Sequence, residues 1–267
     1  MTTRDFTANV ISASKVVPNG AFQNSAASGV WDINEALDLI KGGNWPTTGN
    51  VNPASFVDAL FSTDVYTGNG GAKTITNGIN LSNSGGLVWF KPRGESGNHS
   101  LIDSARGATK YLISNSSSGE TTLAQTLDSF NSNGFTVGQY WSENNKDFVT
   151  WTFRKQPKFF DIVTYSGDGT SNRVINHSLN HTPGVIIIKN LTETANWKFW
   201  HRSLGDGYGL QLNTTGSVEG IGYLSVNSGH VTSSSVTISP AGIETNTSGD
   251  DYVMYLFAHH DSDGGFG

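Results

Sequence analysis

The side chains able to do acid–base or metal chemistry are few: seven histidines and 22 carboxylates in 267 residues, with no cysteine. His177 and His181 stand four apart in INHSLNHTPG. On a helix that spacing would put both imidazoles over one metal ion, but Asn, Pro and Gly around them predict a turn, where i and i+4 share no face. Surface turn histidines are the expectation. HHDSD at 259–263 has the composition of a solvated tail. Glycoside hydrolysis needs two carboxylates at a set separation; Glu143, Glu193 and Asp206 lie near aromatics, and no spacing couples them. There is no G-x-S-x-G elbow and no Walker loop, and GDG (167–169) and GIG (220–222) lack the third glycine of a dinucleotide fingerprint. Zero cysteines exclude disulfides and thiolate–metal chemistry. No catalytic residue, cofactor or metal is therefore expected.

What remains is recognition chemistry, and the elements that would position it are repeated. DVYTGNG (64–70) is echoed by IVTYSGDG (162–169), with Tyr66 and Tyr165 99 apart. GLVWFK (86–91) answers GVIIIK (184–189) and YLISNSS (111–117) answers GLQLNTT (209–215), both at 98. FNSNGF (130–135) is matched to ISPAGI (238–243) at 108, and DFVTWTF (147–153) to DYVMYLF (251–257) at 104. A fixed order with slowly drifting offsets marks a tandem duplication. Short β-branched and aromatic runs between Gly, Asn and Ser turns predict an all-β chain of two sandwich units, at 61–155 and 158–260. DFVTWTF alternates, so one face is expected apolar and the other largely polar, whereas VIIIK should be buried on both faces. YTGNG and YSGDG read as tight hairpin turns.

Positions that both copies share are explained by the fold; positions where they differ are the candidates for function. Trp89 against Ile187, and Trp151 against Tyr255, are assigned to core packing. Between Val137 and Asp147 the first unit is read as about four residues longer, and there lie Tyr140 and Trp141. Between Asn213 and Gly242 the second unit is read as ten residues longer, and it holds Tyr223 and His230. Trp197 replaces His99. Aromatic rings on loops of a rigid β scaffold can stack on sugar C–H faces, so Tyr140, Trp141, Trp197, Tyr223 and His230 are the expected ligand contacts. The competing expectation is that these rings cap the sandwich ends or line a subunit interface. Asp103 with Arg106, and Arg202 with Asp206, are expected to pair across a surface turn, where such pairs contribute little.

The first sixty residues differ in kind. Residues 1–30 read as an extended arm. In WDINEALDLIKGGNWP, Asp32 with Glu35 makes an N-terminal capping signal and Gly42-Gly43 the stop. A helix of about ten residues is too short to stand alone in water. Trp31, Ile33, Leu37, Ile40 and Trp45 are therefore expected to anchor it on a partner or on the β units. Net charge is −6, which excludes a phosphate backbone as the expected partner. No apolar run reaches the roughly 18 residues needed to span a membrane, and MTTRDFTANV has no signal-peptide h-region.

GGLVWFKPR, NHSLIDSARGATKYL, TLDSFNSNGFTVG and DFVTWTFRK, followed by FFDIVTYSGDG, HTPGVIIIK, NWKFWHRSLG and DYVMYLFAH, together resemble a family of structural proteins of tailed, often marine, bacteriophages. GVWDINEALDLIKGGNWP resembles their N-terminal segment. The resemblance implies a virion component with a duplicated lectin-like β-sandwich and no catalytic residues. From it follow the expectations of a tail-fibre-type surface protein for host attachment, partnered by other virion proteins, by itself as a homotrimer and by a host surface glycan. The alternative expectation is a head decoration or cement protein. A glycan-processing enzyme comes third, and would require a close carboxylate pair beside Tyr140-Trp141 or Trp197.

Overall fold

A computed structural model describes residues 57–94, 96–205, 207–220, 230–238 and 245–259, with Asn34, Leu37, Asp38 and Lys41. Those four isolated residues are helical, as the capping signals predict, and Leu37 is 36% exposed. Trp31, Ile33, Ile40 and Trp45 lie outside the described residues. The compact β unit starts at Val57 with the helical turn Val57–Leu60, whose Leu60 is buried.

The protein is all-β. In the first repeat, β1 (Phe61–Thr67), β3 (Gly86–Pro92), β4 (Ser100–Asp103), β5 (Lys110–Ile113), β6 (Thr121–Thr122) and β9 (Asp147–Arg154) form an antiparallel sheet in the order β1-β9-β3-β4-β5-β6. A smaller sheet, β2-β8-β7, is built from β2 (Lys73–Thr76), β7 (Leu127–Asn131) and β8 (Gly134–Val137). The second repeat has β10 (Phe160–Ser166), β11 (Arg173–Asn176), β12 (Pro183–Asn190), β13 (Lys198–His201), β14 (Tyr208–Gln211), β15 (Glu219–Gly220), β16 (Ser235–Ile238) and β17 (Asp251–Ala258). Its large sheet runs β10-β17-β12-β13-β14-β15, the order of the first, and its small sheet pairs β11 with β16.

Pairing also corrects one stretch of the sequence alignment. Ile75 faces Phe135, and Ile175 faces Val236, so Phe135 and Val236 are equivalent at an offset of 101. ISPAGI therefore does not answer FNSNGF: Ile238 holds the place of Val137. The second repeat gains three residues before β16 and three after it, so Tyr140 and Trp141 sit in the shorter copy of their loop. A Gly-centred turn was matched by composition, where only strand pairing carries the register.

Alternation along each strand builds four layers. Val88 and Phe90 face Ile75, Phe135 and Val137 of the small sheet in one core, and Ile186, Ile188 and Met254 face Ile175 and Val236 in its twin. The opposite faces of the two large sheets close on each other: Leu87, Leu101 and Leu112 of the first repeat share a core with Phe160, Ile187, Val253 and Tyr255 of the second. The two repeats are thus one body with a joint core. VIIIK is buried on both faces, as expected. DFVTWTF departs from expectation, because Thr150 and Thr152 on its polar face are fully buried beneath the small sheet, while Val149, Trp151 and Phe153 are half-buried. Asn77 answers Thr152 with a 3.0 Å hydrogen bond, which lets a hydroxyl sit inside.

The twice-written turn is not a hairpin, since β1 and β2 lie in different sheets. It carries the chain between layers while touching the loop before β9. A Cβ on Gly68 would stand 2.1 Å from the Glu143 carbonyl oxygen, and one on Gly167 1.9 Å from that of Thr247. Gly70 and Gly169 take φ of +80° and +72°. Close approach and left-handed backbone, one glycine for each, explain the motif.

Polar groups lock the joint core. Asp103 and Arg106 do pair, at 2.5 Å, but inside the protein rather than at its surface. Arg106 also reaches Glu120 (3.3 Å), the Leu101 carbonyl (3.1 Å) and the Tyr255 hydroxyl (3.2 Å), and Tyr255 donates to Asp103 at 2.8 Å. Burial opposes the Arg106 charge, yet Tyr255, Asp103 and Glu120 outweigh it and hold its pKa above the usual range. Asp206, the other half of the second expected pair, lies outside the described residues.

Candidate functional site

The small sheet of the first repeat leaves part of the large sheet uncovered, and there a cleft of about 660 Å³ opens. Ser100 of β4, with Tyr111 and Ile113 of β5, lines it from the sheet; Leu123 to Gln125 and Gln139 to Trp141 line it from loops. The two loops are clamped together. Tyr140 N–H donates to the Gln125 carbonyl at 3.0 Å, and Gly138 N–H to that of Thr126 at 3.0 Å. A Cβ on Gly138 would come within 2.3 Å of the Gln125 oxygen, so only glycine allows this approach. Gln125 itself holds φ at +65°, a left-handed conformation uncommon for a residue with a side chain.

Tyr140 and Trp141, expected together as surface contacts, are separated by the structure. Tyr140 is 48% exposed and stands edge-on to Trp141 at 5.1 Å. Trp141 is 4% exposed, stacks on Phe90 at 5.3 Å and meets Phe148 edge-on at 6.2 Å. It is core on one side and cleft floor on the other. Tyr66 fixes its backbone by donating to the Trp141 carbonyl at 2.6 Å. The Tyr140 ring lies 6.2 Å from that of Tyr111. Partial burial, then the Tyr111 phenol and the Glu143 carboxylate, lift the Tyr140 pKa above the usual tyrosine value. At the rim Glu143 and Lys146 pair at 2.8 Å. Glu143 is the one carboxylate among the described lining residues, so no carboxylate pair of the kind a glycosidase uses stands among them.

The remaining candidates fall elsewhere. Trp197 is fully buried between the repeats, its indole N–H shared by the Ile113 and Ser116 carbonyls at 2.9 and 3.1 Å, its ring parallel to Tyr255 at 6.5 Å. It is an interior strut, not a ligand contact: replacing a polar His by Trp filled the joint core. His230 is buried edge-on against Trp200 at 6.2 Å, which removes it from the surface as well. Tyr223 lies outside the described residues. The His177 Nδ1 accepts the Leu179 N–H at 3.3 Å in the expected turn. No group of three metal-ligating side chains occurs among the described residues. Sequence reasoning passed over Ser100, Tyr111 and Gln125; the one available signal was that Tyr111 aligns with Gly209.

At the places of Tyr111 and Trp141 the described residues of the second repeat carry no ring. Lys198 stands for Ser100, Gly209 for Tyr111 and Gln211 for Ile113. Thr245 stands for Trp141, its carbonyl accepting from Tyr165 at 2.8 Å.

Residues 57–267 match a family described as a domain of unknown function, DUF7483. The chain belongs to that family. No curated protein and no solved structure matches it. The DUF7483 match starts where the compact β unit starts and takes in both repeats, so the domain is the whole four-layered body rather than one sandwich. In this DUF7483 domain the cleft and the joint core lie on opposite faces of the same large sheet.

Proposed function

We propose that the protein is a surface component of a tailed-phage particle that attaches to the host through the cleft of its first repeat, assembled as a homotrimer. The observation that supports attachment is the asymmetry between the copies: one holds an open cleft with an exposed Tyr140 beside Tyr111 and Trp141, and the other has Gly209 in place of Tyr111 and Thr245 in place of Trp141. The setting on a virion rests on the motif resemblance. The segment before Val57, with the helix at Leu37, serves as the attachment segment to the particle.

Gold-tagged antibody against residues 61–267 on purified particles tests this reading. Label on the tail, lost when residues 1–45 are deleted, is the expected result. Label spread over the head would make it a decoration protein. Particles that carry none would sink the virion assignment.

A further inference from the structure

The floor of the cleft presents two polar groups that make no hydrogen bond to a described residue, one of them buried. Ser100 is 1% exposed and lines the cleft, and its hydroxyl makes no hydrogen bond to any described residue. The Trp141 indole N–H is buried and has no partner among them either. Buried donors and acceptors are nearly always paired, and leaving one open is costly, so an unpaired indole N–H at the floor of a cleft points to a partner that enters from outside. Above them the side-chain amides of Gln125 and Gln139 also make no hydrogen bond to a described residue.

We infer that this cleft binds a neutral, hydroxyl-rich saccharide, with Tyr140 as stacking platform and Ser100, Trp141, Gln125 and Gln139 as hydroxyl partners. Each feature selects that chemistry. A sugar hydroxyl both donates and accepts, so it can take the indole N–H and engage the serine at once. An amide offers both roles in one plane, which suits neighbouring hydroxyls. The half-exposed Tyr140 ring matches the apolar C–H face of a pyranose. Charge argues against ionic ligands, because Glu143 and Lys146 neutralise each other at the rim. The cleft volume falls within the roughly 300–1,000 Å³ of small-ligand sites, so it holds one or a few sugar units and not a protein segment. The inference rests on the reading of the cleft as the attachment surface and names its ligand class.

The test is calorimetric titration of the full chain with hexamers of glucose, mannose, galactose and N-acetylglucosamine, and with galacturonate hexamer as the charged counterpart. At least one neutral hexamer is expected to bind. Tyr140→Ala should weaken that binding about tenfold, as loss of one stacking ring does. Gln139→Ala should weaken it several-fold, while Tyr208→Ala on the second repeat, where the ring is 53% exposed, should leave it unchanged. Thermal melting of each variant confirms that the fold is kept. Binding of galacturonate alone would refute the charge argument. Neutral binding that survives both cleft variants undiminished would place the site elsewhere, and no binding by any neutral hexamer at millimolar concentration would overturn the inference. Tail labelling together with that last result would leave host attachment standing with a receptor of different chemistry.

Discussion

The two repeats share one strand order, one turn motif and one pattern of core positions, yet they contribute unlike things to the same molecule. Toward the joint core the first repeat supplies charge, Asp103, Arg106 and Glu120, and the second supplies rings, Trp197 and Tyr255. Toward solvent the first keeps Tyr111 and Trp141 around a cleft, where the second has Gly209 and Thr245. A duplicated fold can divide labour because its two buried faces and two exposed faces need not remain copies. What the copies share explains the common strand order; where they part, they supply the ionic lock and show which half holds the site.

The largest effect expected is at the lock. Arg106→Ala leaves the buried Asp103 carboxylate without its cation, and breaking such a pair costs roughly 3–5 kcal/mol. Leu204→Ala, the matching change in the second repeat, should cost far less in urea denaturation, because Leu204 is half-buried and outside the network. Equal losses would refute the claim that the ionic lock belongs to the first repeat. Trp141→Ala should cost about 3–5 kcal/mol by removing a ring packed on Phe90 and Phe148, against a much smaller loss for Thr245→Ala. A melting temperature unmoved by Trp141→Ala would show that the ring is surface after all.

Gly119→Ala comes next. Its Cβ would stand 2.7 Å from the Leu191 oxygen, where the backbones of the two repeats touch, and overpacking there costs about 1–3 kcal/mol. Gly220→Ala, with nothing within 4 Å, is the neutral control. Alkali offers a reversible probe. Burial pushes the Tyr255 phenol well above its ordinary 10.0, and Tyr165 likewise. The folded state therefore keeps protons that the unfolded chain gives up. Their contribution is complete below pH 10 and falls above it, by about 1.4 kcal/mol per pH unit for each such tyrosine. Urea midpoints at pH 9 and 11 measure the fall, and Tyr255→Phe should remove part of the slope. The smallest effect on stability is Tyr140→Ala, within about 0.5 kcal/mol for an exposed side chain. A greater loss would mean that Tyr140 supports the loop rather than meeting a ligand.

The duplication and the all-β class were legible because strand runs and Gly-rich turns recur in order. The joint core was hidden. Burial of Thr150 and Thr152 depends on a second sheet lying above them, and nothing in DFVTWTF distinguishes a polar residue under a sheet from one in water. Asp103 and Arg106 stand at a turn spacing that also suits a surface pair; only the Tyr255 hydroxyl, 152 residues away, makes them interior. Of the site, Tyr140 could be picked out as an aromatic on a loop. Ser100 and Gln125 could not, since a serine in a strand carries no mark of being unpartnered and a positive φ at glutamine has no sequence signature. Trp197 misled for a related reason, because its difference from His99 records adaptation to the neighbouring repeat.

The segment between β9 and β10, residues 155–159, is only five residues long. So short a tether holds the two large sheets at an effective concentration of the order of millimolar, whatever the concentration of the protein. Association of the halves is then independent of dilution, and a contact too weak to survive between separate chains is permanent within one. Cutting the chain there would hand the joint core over to mass action: the cleft-bearing half would hold its partner in concentrated solution and lose it on dilution.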